Sequence, residues 1–226
     1  MRVYRTTRGI VIQVKGQFYL SKHTSWESFV SRKDLFFSIS REIQFLQSDP
    51  GFWDYVRHFS LPPIGQQEVW QLDPTPQLLS TASRCVQNES TLSWHGHHFR
   101  AGIAVLMSAE ARFQGITLFH QSVHPQAYPT RDNCALGPCL WIPEPDVDLA
   151  WDLSTQIIRN NQIISKITMM LDWRAPKTLN AFWGQQSFPE GMYLSKTYDL
   201  PIHLVPGDRV KTILPSLGDL RTSLTT

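Results

Sequence analysis

The chain has 226 residues, of which 42% are hydrophobic and 18% charged, with a formal net charge of +2. A chain of this size buries roughly 70% of its extended surface, and the composition is that of a globular rather than a disordered protein. The near-neutral balance and the lack of any Lys or Arg run argue against nucleic acid as a partner. No apolar run approaches the ~20 residues that span a bilayer, so no membrane association is expected. Cys85, Cys134 and Cys139 are an odd number with no secretory segment ahead of them. They lead to the expectation of reduced thiols in a cytoplasmic protein.

Val3 to Val14 is rich in β-branched residues, and Gly16 permits a turn before Gln17 to Leu20, which predicts a hairpin. Trp26, Phe29, Val30 and Lys33 recur at helical spacing, as do Ile39, Ile43 and Leu46. Two short helices should therefore end before Asp49-Pro50-Gly51. Phe52, Trp53, Val56 and Phe59 define a third helical face, stopped by Pro62-Pro63. Residues 1–61 thus read as a small α+β cap, and Pro62 to Trp70 as a linker or first core strand. From Gln71 to Asn133 the periodicity is poor, with Ala101 to Leu106 a candidate strand, so 71–133 is expected to be irregular or altered. Strands return at Leu140 to Ile142, Ile157-Ile158, Ile163 to Thr168 and Val210 to Leu214, with a short helix at Thr178 to Trp183. Pro206-Gly207-Asp208 and Leu217-Gly218-Asp219 read as turns. The fold class that follows is α+β, mainly β.

Several anchors carry a resemblance. Tyr4-Arg5-Thr6-Thr7-Arg8-Gly9-Ile10 opens the chain; Pro62 to Trp70 reads Pro-Pro-Ile-Gly-Gln-Gln-Glu-Val-Trp; Ala135 to Leu140 reads Ala-Leu-Gly-Pro-Cys-Leu, with Pro143 and Glu144 following. Ser187-Phe188-Pro189 with Gly191 and Leu194, Pro206-Gly207-Asp208, and Leu217-Gly218 with Leu220 complete the set. Together they resemble the fumarylacetoacetate hydrolase family, most closely its branch acting on sugar-derived 2-oxo acids. The resemblance implies a mixed β-roll behind the N-terminal cap, incomplete in this chain, with 62–226 as the roll region. It also implies hydrolase or lyase chemistry on a 2-oxo acid, a homodimer, and a Mg²⁺ ion held by carboxylates in intact relatives. A hard cation prefers such oxygen ligands and would polarise the substrate carbonyl.

The segments that supply those ligands in the family, Pro-Glu-x-Glu and Gly-Asn-Asp-x-Ser-x-Arg, belong between Trp70 and Ala135, and neither is present. Gln71-Leu72-Asp73-Pro74 follows Trp70, and Glu89, Glu110 and Asp132 fall outside the required pattern. Ser195-Lys196-Thr197-Tyr198-Asp199 replaces the late substrate loop. A displaced reading frame over Gly102 to Leu118 permits codons that spell a family-like segment, which suggests a frame or splicing change. No catalytic, cofactor-binding or metal-ligating residue transfers, so the expectation is an inactive product with no cofactor. The alternative is a non-catalytic subunit that pairs with an intact paralogue.

Other constellations carry chemistry of their own. His95 and His97 would share one face of a strand beside His98, with His120, His124 or a carboxylate as third metal ligand; solvated loop histidines are the plainer reading. Cys134 and Cys139 would either pair, ligate zinc or pack. Glu144, Asp146 and Asp148 alternate as a candidate cation stripe or a solvated strand edge. Asp208 is expected to cap its turn. Arg5 and Arg8 read as exposed arginines or an anion site, and Trp53, Trp70, Trp141 and Trp173 as core or interface residues rather than a ligand platform.

Overall fold

The structure, a computed structural model, describes residues 1–226 apart from 64–67, 73–75, 82–84, 87–89, 95, 97, 109–111, 124–133, 147–148 and 174–190. The chain opens with three antiparallel strands, β1 (Arg2–Thr6), β2 (Gly9–Val14) and β3 (Gln17–Leu20). Val3 to Val14, expected as one arm of a hairpin, is therefore two strands joined at Thr7-Arg8. The second turn has φ of 50° at Lys15 and 80° at Gly16, the left-handed pair that matches the twist of a two-residue hairpin. Helices α1 (Trp26–Val30), α2 (Leu35–Glu42) and α3 (Phe52–Phe59) follow, and α2 ends before the expected Ile43 and Leu46, since Ile43 opens a 3-10 turn over Ile43–Phe45 and Leu46 is extended.

The remaining strands are β4 (Glu68–Leu72), β5 (Pro76–Thr81), β6 (Cys85–Val86), β7 (Ser90–Ser93), β8 (His98–Met107), β9 (Phe113–Val123) and β10 (Cys134–Trp141). After them come β11 (Leu149–Arg159), β12 (Gln162–Trp173), β13 (Gly191–Asp199), β14 (Arg209–Leu214) and β15 (Gly218–Thr225). The first sheet runs β3-β2-β1-β10-β9-β8-β13-β4-β5, with β6 beside β10, and the second runs β12-β11-β14-β15-β7. Residues 1–61 thus give three strands to the first sheet, through Arg2 opposite Trp141 and Val3 opposite Leu140, as well as the covering helices.

The interval 71–133, expected to be irregular, contributes β5 to β9, and β8 and β9 lie at the centre of the first sheet. Their periodicity is poor because both faces are buried. Ile103, Val105, Ile116 and Leu118 face a core shared with Leu153, Ile157, Val210, Leu214, Leu220 and Leu224 of the second sheet. Ala104, Leu106 and Phe119 face the other way, into a core with Trp26, Phe29, Leu35 and Ile39 of the helices. A strand sandwiched in this way reads as a continuous apolar run rather than an alternating one. The molecule has three layers, with the first sheet in the middle.

Polar anchors hold the layers in place. Glu42 is 6% exposed and accepts from Ser21 Oγ at 2.6 Å, Lys22 N at 3.1 Å and Arg32 Nη1 at 2.7 Å. Burial alone would raise its carboxyl pKa, but the three donors outweigh it and hold the group below the usual range. Arg2 donates to the carbonyls of Ser216 at 2.7 Å and Pro215 at 2.9 Å, tying β1 to the β14–β15 turn. Asp208 is fully buried and does more than cap its turn. It accepts the Val205 N–H at 2.9 Å and takes Arg159 Nε and Nη2 at 2.7 and 2.8 Å.

Replacing Glu42 by Ala should destabilise the fold by about 2–3 kcal/mol, because Ser21 and Arg32 lose a buried acceptor. The Glu42 contribution is present above the ordinary carboxylate range and fades as pH falls through its depressed pKa, which urea melts across that range will read. Gly115 lies beside a bulge, where a Cβ would stand 2.8 Å from Leu140 Cγ and 2.9 Å from the Trp141 carbonyl oxygen. Gly115→Ala should therefore cost about 2 kcal/mol in the same assay.

Candidate functional site

Where the two sheets face each other, a connected polar group of described residues interrupts their apolar core. Three second-sheet strands carry the same five-residue pattern, an apolar residue on either side of a central inward threonine. These are Leu153-x-Thr155-x-Ile157, Val210-x-Thr212-x-Leu214 and Leu220-x-Thr222-x-Leu224. Strand alternation points the outer pair and the threonine of each triplet to the same face. All nine residues are buried. From the first sheet, β9 sends His120 into the row of hydroxyls.

His120 is fully buried, with Nδ1 2.9 Å from Thr222 Oγ1 and Nε2 2.7 Å from Thr212 Oγ1. Thr212 Oγ1 lies 2.7 Å from Thr155 Oγ1, which in turn hydrogen-bonds the Tyr198 hydroxyl of β13. A neutral imidazole needs one donor and one acceptor partner, and threonine hydroxyls supply either role. The chain is therefore self-satisfied. Burial pushes the His120 pKa down to about 3, so the ring is neutral at physiological pH. With both nitrogens engaged and no exposure, His120 can neither ligate a metal nor meet a substrate in this conformation. Its role is to match polarity between the sheets.

The other sequence candidates disperse. His98 is exposed at the start of β8, and its strand neighbour is Val123; His95, His97 and His124 lie outside the described residues. Cys134 and Cys139 form no disulfide with each other, since Cys134 is buried in the core beneath the helices and Cys139 in the core between the sheets. Cys139 donates to the Leu217 carbonyl at 3.5 Å, and burial pushes its pKa up to about 12, which makes it an inert packing thiol. Cys85 stands opposite Cys134 in the β6–β10 register, its side chain outside the description. Glu144 and Asp146 are exposed and not in a strand, Asp146 lying in a turn, so the expected strand stripe does not form there; Asp148 lies outside the described residues, as do Glu89, Glu110, Asp132 and the helix expected at Thr178 to Trp183.

Arg5 donates to the Pro62 carbonyl at 3.5 Å, and Arg8 lies 4.0 Å above the Phe59 ring, a cation–π contact rather than an anion site. Trp141 is half-buried edge-on to Trp151 at 4.9 Å, while Trp53 is 41% exposed against Tyr4 and Phe18. The side chains of Trp70 and Trp173 lie outside the description.

Sequence reasoning weighed His120 only as a metal ligand and missed its threonine partners. The repeated apolar-x-Thr-x-apolar triplet was the available signal.

No family model matches the sequence, and no curated protein sequence matches it. The three-dimensional comparison is positive. The structure is similar to that of a 2-keto-3-deoxy-D-arabinonate dehydratase complexed with magnesium and 2,5-dioxopentanoate, with a TM-score of 0.69 and 14% identity over 100% of this chain and 99% of the other. It is similar to maleylpyruvate hydrolase from Sphingobium sp. SYK-6 in complex with manganese(II) ion and pyruvate, with a TM-score of 0.68 and 12% identity over the same shares. Fumarylacetoacetate hydrolase from the psychrophilic Exiguobacterium antarcticum gives a TM-score of 0.61 and 12% identity, again over 100% and 99%. The helix-covered pair of sheets is thus the fold of the fumarylacetoacetate hydrolase-like enzymes, as the sequence anchors imply.

A divalent ion such as magnesium takes several oxygen ligands, carboxylates foremost. Among the described residues, no three His, Cys, Asp or Glu side chains come together. The buried polar side chains of β9 are amides, hydroxyls and one imidazole: Gln114, Thr117, His120, Gln121 and Ser122. That donor set, taken from the described residues alone, does not fit a hard cation at β9.

An unfolded histidine takes up a proton near pH 6.5, whereas folded His120 resists it until about pH 3. Between those values the unfolded state binds more protons, so stability should fall as pH drops through this window. His120→Leu should flatten that dependence. It should also cost about 2–4 kcal/mol at neutral pH by stranding the Thr212 and Thr222 hydroxyls. Chemical denaturation at about pH 7 and pH 5 measures both effects.

Proposed function

We propose that this chain carries the scaffold of a hydrolase or lyase for 2-oxo acids without the metal-dependent turnover of that class. The observation that carries the reading is the pairing of this fold with a segment, Trp70 to Ala135, that lacks both carboxylate motifs. The solved relatives point to the substrate class, since one holds 2,5-dioxopentanoate with magnesium and another pyruvate with manganese. A 2-oxo acid chelates a hard cation through its carboxylate and keto oxygens, and the ion supplies Lewis-acid stabilisation of enolate-like charge. Without a carboxylate cage that stabilisation is lost, and amide and hydroxyl side chains alone do not replace it.

The same reading makes the protein a cytoplasmic dimer without a resident metal. No helix among the described residues is long and apolar enough to cross a membrane. Edge strand β12 exposes Ile163 and Met170, which a second copy or an intact paralogue would cover.

Purified protein incubated with acylpyruvates or 2-oxo-3-deoxy sugar acids and ~1 mM Mg²⁺ or Mn²⁺ should show no turnover above a chelator-treated control. Robust turnover abolished by chelator overturns the proposal.

A further inference from the structure

β12 ends the second sheet: among the described residues it pairs with β11 alone, and no strand lies along its other edge. At 12 residues it is twice as long as the typical strand of ~5–6. A long edge of this kind is a template for pairing with another chain. Burial alternates along it, with Ile164, Lys166, Thr168 and Met170 exposed and Ile167 and Met169 half-buried against the core between the sheets. Met170 is 75% exposed.

The charges of this strand are Lys166 and Asp172, of opposite sign and placed symmetrically about Met169. Neither faces a counter-charge across the ladder, since the β11 residues opposite them are Gln156 and Ala150. A second β12 added antiparallel is related to the first by a two-fold axis normal to the sheet. That axis keeps outward residues outward, so only residues of the same alternation can stand opposite one another. With the axis at Met169, Lys166 falls opposite the partner's Asp172, Ile167 opposite the partner's Leu171 and Thr168 opposite the partner's Met170. Every other such axis on β12 sets each charge opposite a neutral residue, opposite itself, or beyond the strand.

We infer that two copies of this chain join edge to edge through β12, antiparallel about a two-fold axis at Met169, with Lys166 of each copy facing the partner's Asp172. The inference rests on the dimer reading above and gives it an edge, a register and an occupant. Both halves of each charge pair come from this one strand, so a second copy completes the pattern and no other chain is needed. Backbone pairing and the apolar residues supply the attraction, and the charges select the register. The overlap runs only from Ser165 to Trp173, small beside a standard interface, so the association is of micromolar strength.

Sedimentation equilibrium of the full chain between ~1 and ~200 µM should show a mass rising from 26.0 kDa toward twice that value. Lys166→Asp and Asp172→Lys each bring like charges opposite one another at both ends of the pairing, and each should weaken association at least about tenfold. The double variant Lys166→Asp/Asp172→Lys restores opposite charges and should return Kd to within about threefold of the unaltered chain. Lys166→Gln, a neutral change at an exposed position, should weaken association about threefold, and it decides the matter if a reversed variant fails to fold. A dimer unmoved by Lys166→Gln and by both reversals, or one that the double variant does not restore, overturns the inference and leaves a dimer of another geometry. A monomer at ~200 µM overturns the inference and the dimer reading together.

Discussion

The architecture depends on β8 and β9 being buried on both faces. Every described residue of β9 except Val123 is buried, and its side chains alternate between the core beneath the helices and the core between the sheets. A strand in that position couples the two cores: helices and second sheet are each packed against opposite sides of the same backbone. Close packing leaves little room for adjustment. Gly115 shows how little, since even a methyl group there would overlap Leu140 and the Trp141 carbonyl. The helix layer is in turn pinned by Glu42, whose three donors come from two separate segments of the chain.

Two polar groups of this interior, His120 and Asp208, have partners arranged for them. His120 is acceptable because threonines of two second-sheet strands meet both its nitrogens, and Asp208 because Arg159 and the Val205 amide surround it. Buried polar atoms without partners are expensive, so such networks constrain how the two sheets can be placed. The His120 network gives the sheets a lateral register that apolar packing alone would not specify.

A fold does not by itself fix a chemistry. The layers are those of the fumarylacetoacetate hydrolase-like fold, and the described buried polar side chains of β9 are hydroxyls, amides and an imidazole. A scaffold of this kind tolerates exchange of polar side chains more readily than loss of its sandwiched apolar ones. The apolar side chains hold the layers together; the polar ones decide what the layers can bind.

The sequence alone determined the elements that keep one face in water. α1 and α3 were legible from their apolar spacing, and β14 from its alternation, because exposure on one side imprints a period on the residues. The anchor motifs at the two ends also carried the fold, since turns and close approaches restrict residue identity locally. What only the tertiary structure decided lies in the middle layer. β8 and β9 carry no period because neither face meets solvent, and β13 finds its partners β4 and β8 far away in sequence. The inward threonine of each second-sheet triplet was visible, but its meaning was not. A buried hydroxyl becomes interpretable only when the partner that satisfies it, here His120 from the opposite sheet, has been brought within hydrogen-bond reach by long-range packing.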